Sequence, residues 1–571
     1  MKKKVVLIQA TQMEGDKVKK VEKSYIVSRT MPYLAALFAE YSHGDWEIVL
    51  IDDYLKGESP FNETADLYAI TAMVATLDRA IQIGEILKRK NPQIPVIIGG
   101  PGPTASLDKI KELAWFNSIF VGEAEITLRQ FIEDFERGAV KKVYCSDREL
   151  LQKLGIIIPE HLIYYAEQKP DLMGLPVPRY DLLNLQRYTN PPWGLRGLLQ
   201  SKYRAPQIPI EFGRGCPHHC EFCTVYKFWG PRIRRRPMTE VIDELRQYPP
   251  KAYMVITDDN LAAVEKETIN LLKEIIRVKE TEGYEWKFFG QFSTLATRNE
   301  ELIELAGRAG FASAFLGLES IEPESLCLTG KEFNLGTVNH AFLETLRNLG
   351  LTKEQIKEAS QKGIQVIALR RQGVPDNIIK ECIKENYRQV FNKFTSAGVN
   401  PYASLIYGFD GDTVQTIHET TDFLIDAKVP VNYQWILTPL PGSRLAKRLE
   451  QEKRLYLPFN FSKSDSCYVL FEPKKMSREE LEREFWASYH KFYSISSIIR
   501  RVVANPIVFR RPSYLGLLYN NLLYRSAVKN NIQPLSVGYR WCLETPEETG
   551  IRNLDFGIEE PSYGHRPRHA L

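Results

Sequence analysis

Cys216, Cys220 and Cys223 lie in the run GRGCPHHCEFC, with the spacing C-x3-C-x2-C. Three thiolates on so short a loop can grip a single polynuclear centre. A 4Fe–4S cube ordinarily takes four cysteine ligands, so a triad leaves one iron without a protein ligand. An open metal position is where chemistry happens, as at catalytic zinc. The competing chemistry is a structural zinc ion completed by His218 or His219, both inside the loop. Zinc sites usually pair their ligands in C-x2-4-C units, and no second pair lies nearby, so the cube fits the spacing better. Cys145, Cys327, Cys382, Cys467 and Cys542 are scattered singly, which argues against a disulfide framework and for a reducing cytoplasm.

A loop of this kind needs a scaffold to hold it. At 571 residues, the chain predicts two or three domains. Residues 1–140 alternate β-branched runs with helical stretches, the pattern of a parallel α/β domain. Strands are expected at Val5–Gln9, Trp46–Asp52, Leu67–Ala72, Val96–Gly100 and Ser118–Glu123, with helices at Leu77–Lys90 and Ile126–Arg137. Gly99 and Gly100 end a strand, where backbone must turn or approach a ligand closely, and open sheets bind ligands at strand carboxyl ends. Residues 141–205, rich in Pro and aromatics (GLPVPRYDLL, TNPPWG), predict an extended linker. From residue 206 to 445 the alternation resumes, with strands expected at Ile208–Phe212, Tyr253–Thr257, Phe288–Phe292, Ser313–Leu318, Tyr402–Gly408 and Asn432–Leu437. Residues 446–571 are expected to be mainly helical.

Composition narrows the function. Hydrophobic content of 44% and charged content of 26% are those of a globular protein, and a net charge of +4 gives no argument for a nucleic-acid partner. No run approaches the ~18 apolar residues of a membrane span, and MKKKVVLIQAT is expected to be a first strand, not a signal peptide. Arg500, Arg501, Arg510, Arg511 and Arg525 mix with Phe509, Tyr514, Leu517 and Tyr519 between Ile498 and Arg525. Such mixing suits a helix packed on its own domain with its arginines solvated, and leaves peripheral membrane contact as a second option.

The cysteine triad, followed by six strand–helix units, resembles the radical S-adenosylmethionine (SAM) enzymes. The strand ends GGP-x-PT (from Gly99) and VGE-x-E (from Val121) are similar to the cobalamin-binding domain that precedes many of their cores. The resemblance implies an α/β fold in three parts: a Rossmann-like B12-binding-type domain, a partial (β/α)6 barrel with its chemistry at the strands' C-terminal ends, and a helical C-terminal extension. It covers roughly residues 1–500. The chain lacks the D-x-H-x-x-G motif by which some cobalamin proteins ligate cobalt; His43 followed by Gly44 does not fit it. More chain lies between Pro323 and Gly398 than one helix needs, an insertion relative to the family. It is expected to be either an excursion that shapes access or a solvated decoration.

By this resemblance Cys216, Cys220 and Cys223 hold a 4Fe–4S cluster, and Phe222 matches the aromatic beside the SAM adenine. From its place in the loop, and not from the resemblance, Arg214 is expected either to balance cluster charge or, with Gly213 and Gly215, to serve ordinary turn chemistry. Asp258 or Asp259, in TDDN, would accept from the methionyl amine. Gln291 and Ser293 after the third strand, and Glu319 and Ser320 after the fourth, resemble ribose and carboxylate contacts. Gly408, in IYGFDGDT, resembles the turn that meets adenine. Gly99 and Gly100 would approach cobalamin. The implied cofactors are the cluster, SAM and cobalamin; the implied partners are a small-molecule substrate, lipid-like or otherwise apolar, and a low-potential electron donor such as flavodoxin or ferredoxin.

The implied reaction is reductive cleavage of SAM to a 5′-deoxyadenosyl radical, followed by cobalamin-dependent C-methylation of an unactivated carbon. Two alternatives stand beside it: radical ring closure or C–C coupling without methyl transfer, and a non-catalytic cobalamin- or zinc-binding sensor. A tRNA methylthiotransferase does not fit, because residues 1–140 contain no cysteine.

Overall fold

The computed structural model describes residues 2–22, 24, 27–188, 206–338, 342–358, 364–505, 514–534 and 541–545. Its N-terminal sheet is built from β1 (Lys3–Gln9), β2 (Trp46–Asp52), β3 (Leu67–Thr71), β4 (Val96–Gly99), β5 (Ser118–Val121), β6 (Val143–Cys145) and β7 (Ile163–Tyr165). All pairings are parallel, and the order is β2-β1-β3-β4-β5-β6-β7. Over its first five strands this is the flavodoxin-like order 2-1-3-4-5, whose ligand crevice lies where the chain direction switches between β1 and β3. Both faces are covered, so the strands are near-continuous apolar runs. Alternate residues divide between two cores. Val6, Ile8 and Ile98 pack with Leu77, Ile83 and Leu87 of α1 (Leu77–Lys90). Val5, Leu7 and Ile97 pack with Leu128, Phe131 and Ile132 of α2 (Glu125–Glu136).

The sheet runs past residue 140. Cys145 pairs with Val121, and Tyr165 with Cys145, so the stretch expected to be a linker begins as two further strands. The runs VYC and IYY are short and apolar, and their neighbours hid them. The TNPPWG part of that stretch lies outside the described residues.

A second sheet carries the cysteine loop. Strands β8 (Gln207–Ile210), β9 (Tyr253–Ile256), β10 (Lys287–Phe292), β11 (Phe311–Glu319), β12 (Asn400–Tyr407) and β13 (Val431–Ile436) pair in parallel and in chain order. The edge strands β8 and β13 do not pair with each other, which leaves the barrel open. Each strand lies within two residues of its expected position.

The insertion opens with α3 (Pro323–Leu328) and a short antiparallel pair, Thr337–Val338 with Ile364–Gln365, before the crossover helix α4 (Asp376–Ser396). Near Gly442 comes α5 (Arg444–Gln451); α6 (Arg478–Phe492) and α7 (Tyr514–Val528) follow. The region is not helical throughout: Trp541–Glu544 pairs antiparallel with Lys17–Val21 of the N-terminal domain. Within the basic–apolar segment, Arg501 is fully buried and donates to Val429 O, Pro430 O and Phe492 O. This corrects the expectation of solvated arginines there. Among the described residues no carboxylate pairs with Arg501, and burial pushes its guanidinium down to about 9. Phe509, Arg510 and Arg511 lie outside the described residues. Among the described residues no helix is long and apolar enough to cross a membrane.

Candidate active site

The cysteine loop leaves the C-terminal end of β8, where a barrel of this type keeps its chemistry. Gly213 and Arg214 pair antiparallel with Arg235 and Arg234, and this hairpin forms the loop's root. Two glycines are required by crowding. A Cβ on Gly213 would lie 2.6 Å from Arg234 O, and one on Gly215, at φ +107°, would lie 2.5 Å from Arg232 O. The three cysteines are free thiols; Cys220 is buried and the others are half-buried. The Val225 N–H donates to Cys223 Sγ at 3.4 Å. Burial pushes the Cys223 thiol up to about 12 and raises Cys216 and Cys220, while the Lys331 ammonium pulls those two back. A bare loop therefore holds thiols, and a bound metal would be needed to make them thiolates.

The histidines inside the loop have other partners. His218 stacks on Phe333 with centroids 4.1 Å apart, and the His219 ring meets Tyr226 edge-on at 4.9 Å. Burial and Lys331 push His218 down to about 4, so it is neutral. Among the described residues no three His, Cys, Asp or Glu side chains converge as the ligands of a single ion do. The donor set, three thiols on one loop at a strand mouth, suits a polynuclear cluster whose sulfurs bind separate irons.

The SAM-type residues ring this mouth, with different degrees of freedom. Phe222 packs 5.9 Å from Phe409, next to Gly408. Gly408 has φ +105°, and its N–H donates to Asp412 Oδ2 at 3.0 Å. Asp258 is not available to a ligand. Its Oδ1 accepts from the Phe212 and Gly213 N–H groups at 2.9 and 3.0 Å, and its Oδ2 pairs with Arg235. The adjacent residue, Asp259, faces the cavity described below, and burial with Asp258 and Glu211 nearby pushes it up to about 7. Gln291 lies half-buried on β10, and the Ser293 N–H donates to Asn260 Oδ1 at 3.4 Å. Glu319, at φ +65°, folds back over Gly317, where a Cβ would lie 2.7 Å from Glu319 Oε1. Its carboxylate pairs with Lys331 at 2.9 Å. The Ser320 hydroxyl accepts from the Glu322 N–H at 2.9 Å, at the entry to α3.

Gly99 and Gly100 end β4 beside β3. A Cβ on Gly100, at φ +105°, would lie 2.7 Å from Ala72 O. Both glycines line a cavity of about 940 Å3 between the two sheets, near the top of the ~300–1,000 Å3 range of ligand sites. Gln9 and Thr71 border it from the N-terminal sheet, and Arg214, Thr257 and Asp259 from the core. The C-terminal strand ends of both sheets thus face one chamber.

Three features escaped the sequence reading. Arg214 does not face the cysteines: it is clasped by Glu123 at 2.8 Å, Glu125 at 2.7 Å and Glu211 at 2.8 Å. Against burial, which would raise it, Arg214, Arg29 and Arg236 hold Glu211 down at about 2. Arg234 joins the cluster at 2.6 Å from Glu123. Lys331, in the insertion, lies against the cysteine loop, and the Glu221 N–H donates to the neighbouring Thr329 O at 2.9 Å. The VGE-x-E and GRGC runs were both visible, but nothing in either announced the other as its partner.

Residues 210–350 match the Radical SAM superfamily. An uncharacterized methyltransferase of Synechocystis sp. is 24% identical over 79% of this chain and 68% of its own. The bacteriochlorophyllide d C-12(1)-methyltransferase of Chlorobaculum tepidum is 23% identical over 84% of this chain and 86% of its own. Among solved structures, the radical SAM methyltransferase TsrM of Kitasatospora setae, with cobalamin and a 4Fe–4S cluster bound, superposes with a TM-score of 0.54 at 13% identity, covering 86% of this chain and 89% of its own. The cysteine loop at the mouth of the six-stranded open barrel thus falls in the stretch that matches the Radical SAM superfamily, and a flavodoxin-like domain stands ahead of it.

Proposed function

We propose that this chain is a cobalamin-dependent radical SAM methyltransferase acting on an unactivated carbon of an apolar small molecule. The observation that carries this reading is the shared chamber: the strand ends of a flavodoxin-like sheet and of a radical SAM core open onto the same cavity of about 940 Å3. A methyl group held on one side could therefore meet a substrate activated on the other within the same chamber. The likeness to the bacteriochlorophyllide d methyltransferase favours a large, mostly apolar, ring-like substrate.

When bound, the cluster, SAM and cobalamin supply one-electron chemistry and a transferable methyl group. The chain's own residues position them. Cys216, Cys220 and Cys223 are the iron ligands. Asp259, the cavity-facing member of TDDN, accepts from the SAM ammonium, whereas Asp258 holds the loop root. Glu319, with Lys331 beside it, Gln291 and Ser293 present polar edges at the remaining strand ends. Phe222 and Gly408 form the adenine wall. Gly99 and Gly100 admit the corrin close to backbone.

Anaerobic reconstitution tests the reading. Iron and sulfide near four per chain, bound cobalt, and 5′-deoxyadenosine released from SAM are the expected results. A colourless protein holding one zinc ion and releasing no 5′-deoxyadenosine would overturn it. A deoxyadenosine-forming protein whose product gains no methyl mass would limit it to radical chemistry without methyl transfer.

A further inference from the structure

The surface over the cysteine loop carries a concentration of positive charge that the fold itself does not neutralise. Helix α5 begins against the loop: the Leu445 N–H donates to Glu221 O at 3.0 Å, and the Arg444 guanidinium donates to His219 O. Arg444 and Lys447, one turn apart, are exposed. Lys227, in the turn after Cys223, donates to Gly442 O at the approach to the same helix. These three cations are close enough that Lys447 and Arg444 add to burial in lowering the Lys227 ammonium. None of them is ion-paired to a described carboxylate. Arg448, on the same helix, shows the contrast, held by Glu221 and Asp410 at 2.6 Å each. His219 is exposed, its ring touches Tyr226, and Cys220 is the next residue.

Unpaired like charges repel one another, and a patch of one sign steers a partner of the opposite sign. We propose that Lys227, Arg444 and Lys447 are the docking surface for an acidic, low-potential electron-carrier protein of the flavodoxin or ferredoxin kind, seated directly over the cysteine loop. The proposal rests on the radical SAM reading above and adds the place where its electron enters. The carrier is oxidised by one electron and the cluster is reduced by one; no bond is made or broken. Electron-transfer encounters bury little area, below ~1,200 Å2, and depend on charge more than on an apolar core, so a small cationic crown is enough.

The test uses the full chain, reconstituted anaerobically, with reduced flavodoxin as the probe and cluster absorbance followed by stopped flow. Lys447→Glu is expected to slow the second-order reduction by about tenfold at low salt and to flatten its salt dependence, within the range of charge-steered rates. Glu450→Lys, which adds a cation on the same exposed helix, is expected to speed it. Reduction by dithionite should be the same in all three proteins, because a small reductant needs no docking. Flavodoxin rates unchanged by either substitution, or independent of salt in the wild type, would overturn the docking surface while leaving the radical SAM reading intact. A chain that takes up no iron would overturn both.

Discussion

Arg214 Nη1 lies 2.7 Å from Glu125 Oε1, so the residue two before the first cysteine is held by the first residue of a helix in the other domain. The pair is deeply buried, and Glu123 and Tyr33 tighten it: Glu123 accepts from the same Nη1 at 2.8 Å, and the Tyr33 hydroxyl donates to Glu125 at 2.8 Å. The clasp joins the two halves of the chamber through the root of the cysteine loop. Its consequence is that damage to the N-terminal domain should be felt at the cluster.

Removing one member of a buried ion network leaves its partners charged and unpaired, at a cost of about 3–5 kcal/mol. Arg214→Ala is therefore expected to lower the melting temperature and also to reduce iron retained per chain. Glu125→Gln keeps the hydrogen bond from Tyr33 and should be milder in both. Calorimetry and iron analysis on the same preparations check this. Iron content unaffected by Arg214→Ala would separate the clasp from the loop.

Gly215→Ala tests the loop root from the backbone side. A residue with a side chain is strained at φ +107°, and the new Cβ would meet Arg232 O, a backbone atom that cannot swing away. Left-handed strain alone costs about 1–3 kcal/mol. The expected outcome is a chain that folds, since both sheets are built elsewhere, but loses most of its reconstituted cluster absorbance. Gly398→Ala, also at positive φ (+88°) but with nothing within 4 Å of its Cβ, is the control and should retain the cluster.

Asp412 links stability to pH. Its carboxylate accepts from the Gly408 and Phe409 N–H groups and from the Ser325 hydroxyl. Burial outweighs these and pushes it up to about 7. A carboxyl raised on folding binds its proton more tightly in the native state, so its contribution is full below the unfolded value near 4 and is lost as pH rises through about 7. Between these limits the loss is at most about 1.4 kcal/mol per pH unit. Asp412→Asn can turn its oxygen to the two N–H groups and its NH2 to Ser325. Its melting temperature should fall less than that of the wild type between pH 5 and 8, and parallel curves would refute the assignment.

The strands were legible because parallel strands covered on both faces must be almost wholly apolar, and runs such as VVLI at Val5–Ile8 have few other uses. The cysteine triad was legible because its ligands are adjacent in sequence. What stayed hidden was long-range pairing. Nothing local shows that Asp258 turns back to the Phe212 and Gly213 N–H groups while Asp259 faces the chamber; the two are identical side chains, and only the strand's end decides between them. Arg214 was assigned to the cluster because the cysteines are its neighbours in sequence, yet two of its three carboxylate partners, Glu123 and Glu125, lie some ninety residues away. Lys331 sits in an insertion with no motif around it, so only folding reveals its place beside Glu319.

The outer edge of β13 gives the last prediction. An edge strand offers unpaired N–H and C=O groups to any passing strand, and here two tyrosines of the C-terminal extension occupy them. The Tyr489 hydroxyl accepts from the Gln434 N–H at 2.6 Å and donates to Gln434 O at 2.9 Å, and Tyr493 treats Asn432 the same way at 3.2 and 2.8 Å. Tyr489→Phe keeps the ring in the core but leaves the buried Gln434 N–H without a partner, at about 1–3 kcal/mol, and leaves the Gln434 carbonyl only the long 3.4 Å bond from Gln533 Nε2. The barrel is expected to lose stability in urea by that order, with a further loss in Tyr489→Phe/Tyr493→Phe and faster amide exchange at Asn432 and Gln434. Tyr407→Phe is the control, because its hydroxyl meets side-chain hydroxyls, of Ser488 at 3.4 Å and of Thr421, and caps no backbone among the described residues. If both single variants were equally stable, the tyrosine caps would be packing alone, and the C-terminal extension would not be what closes the open side of the barrel.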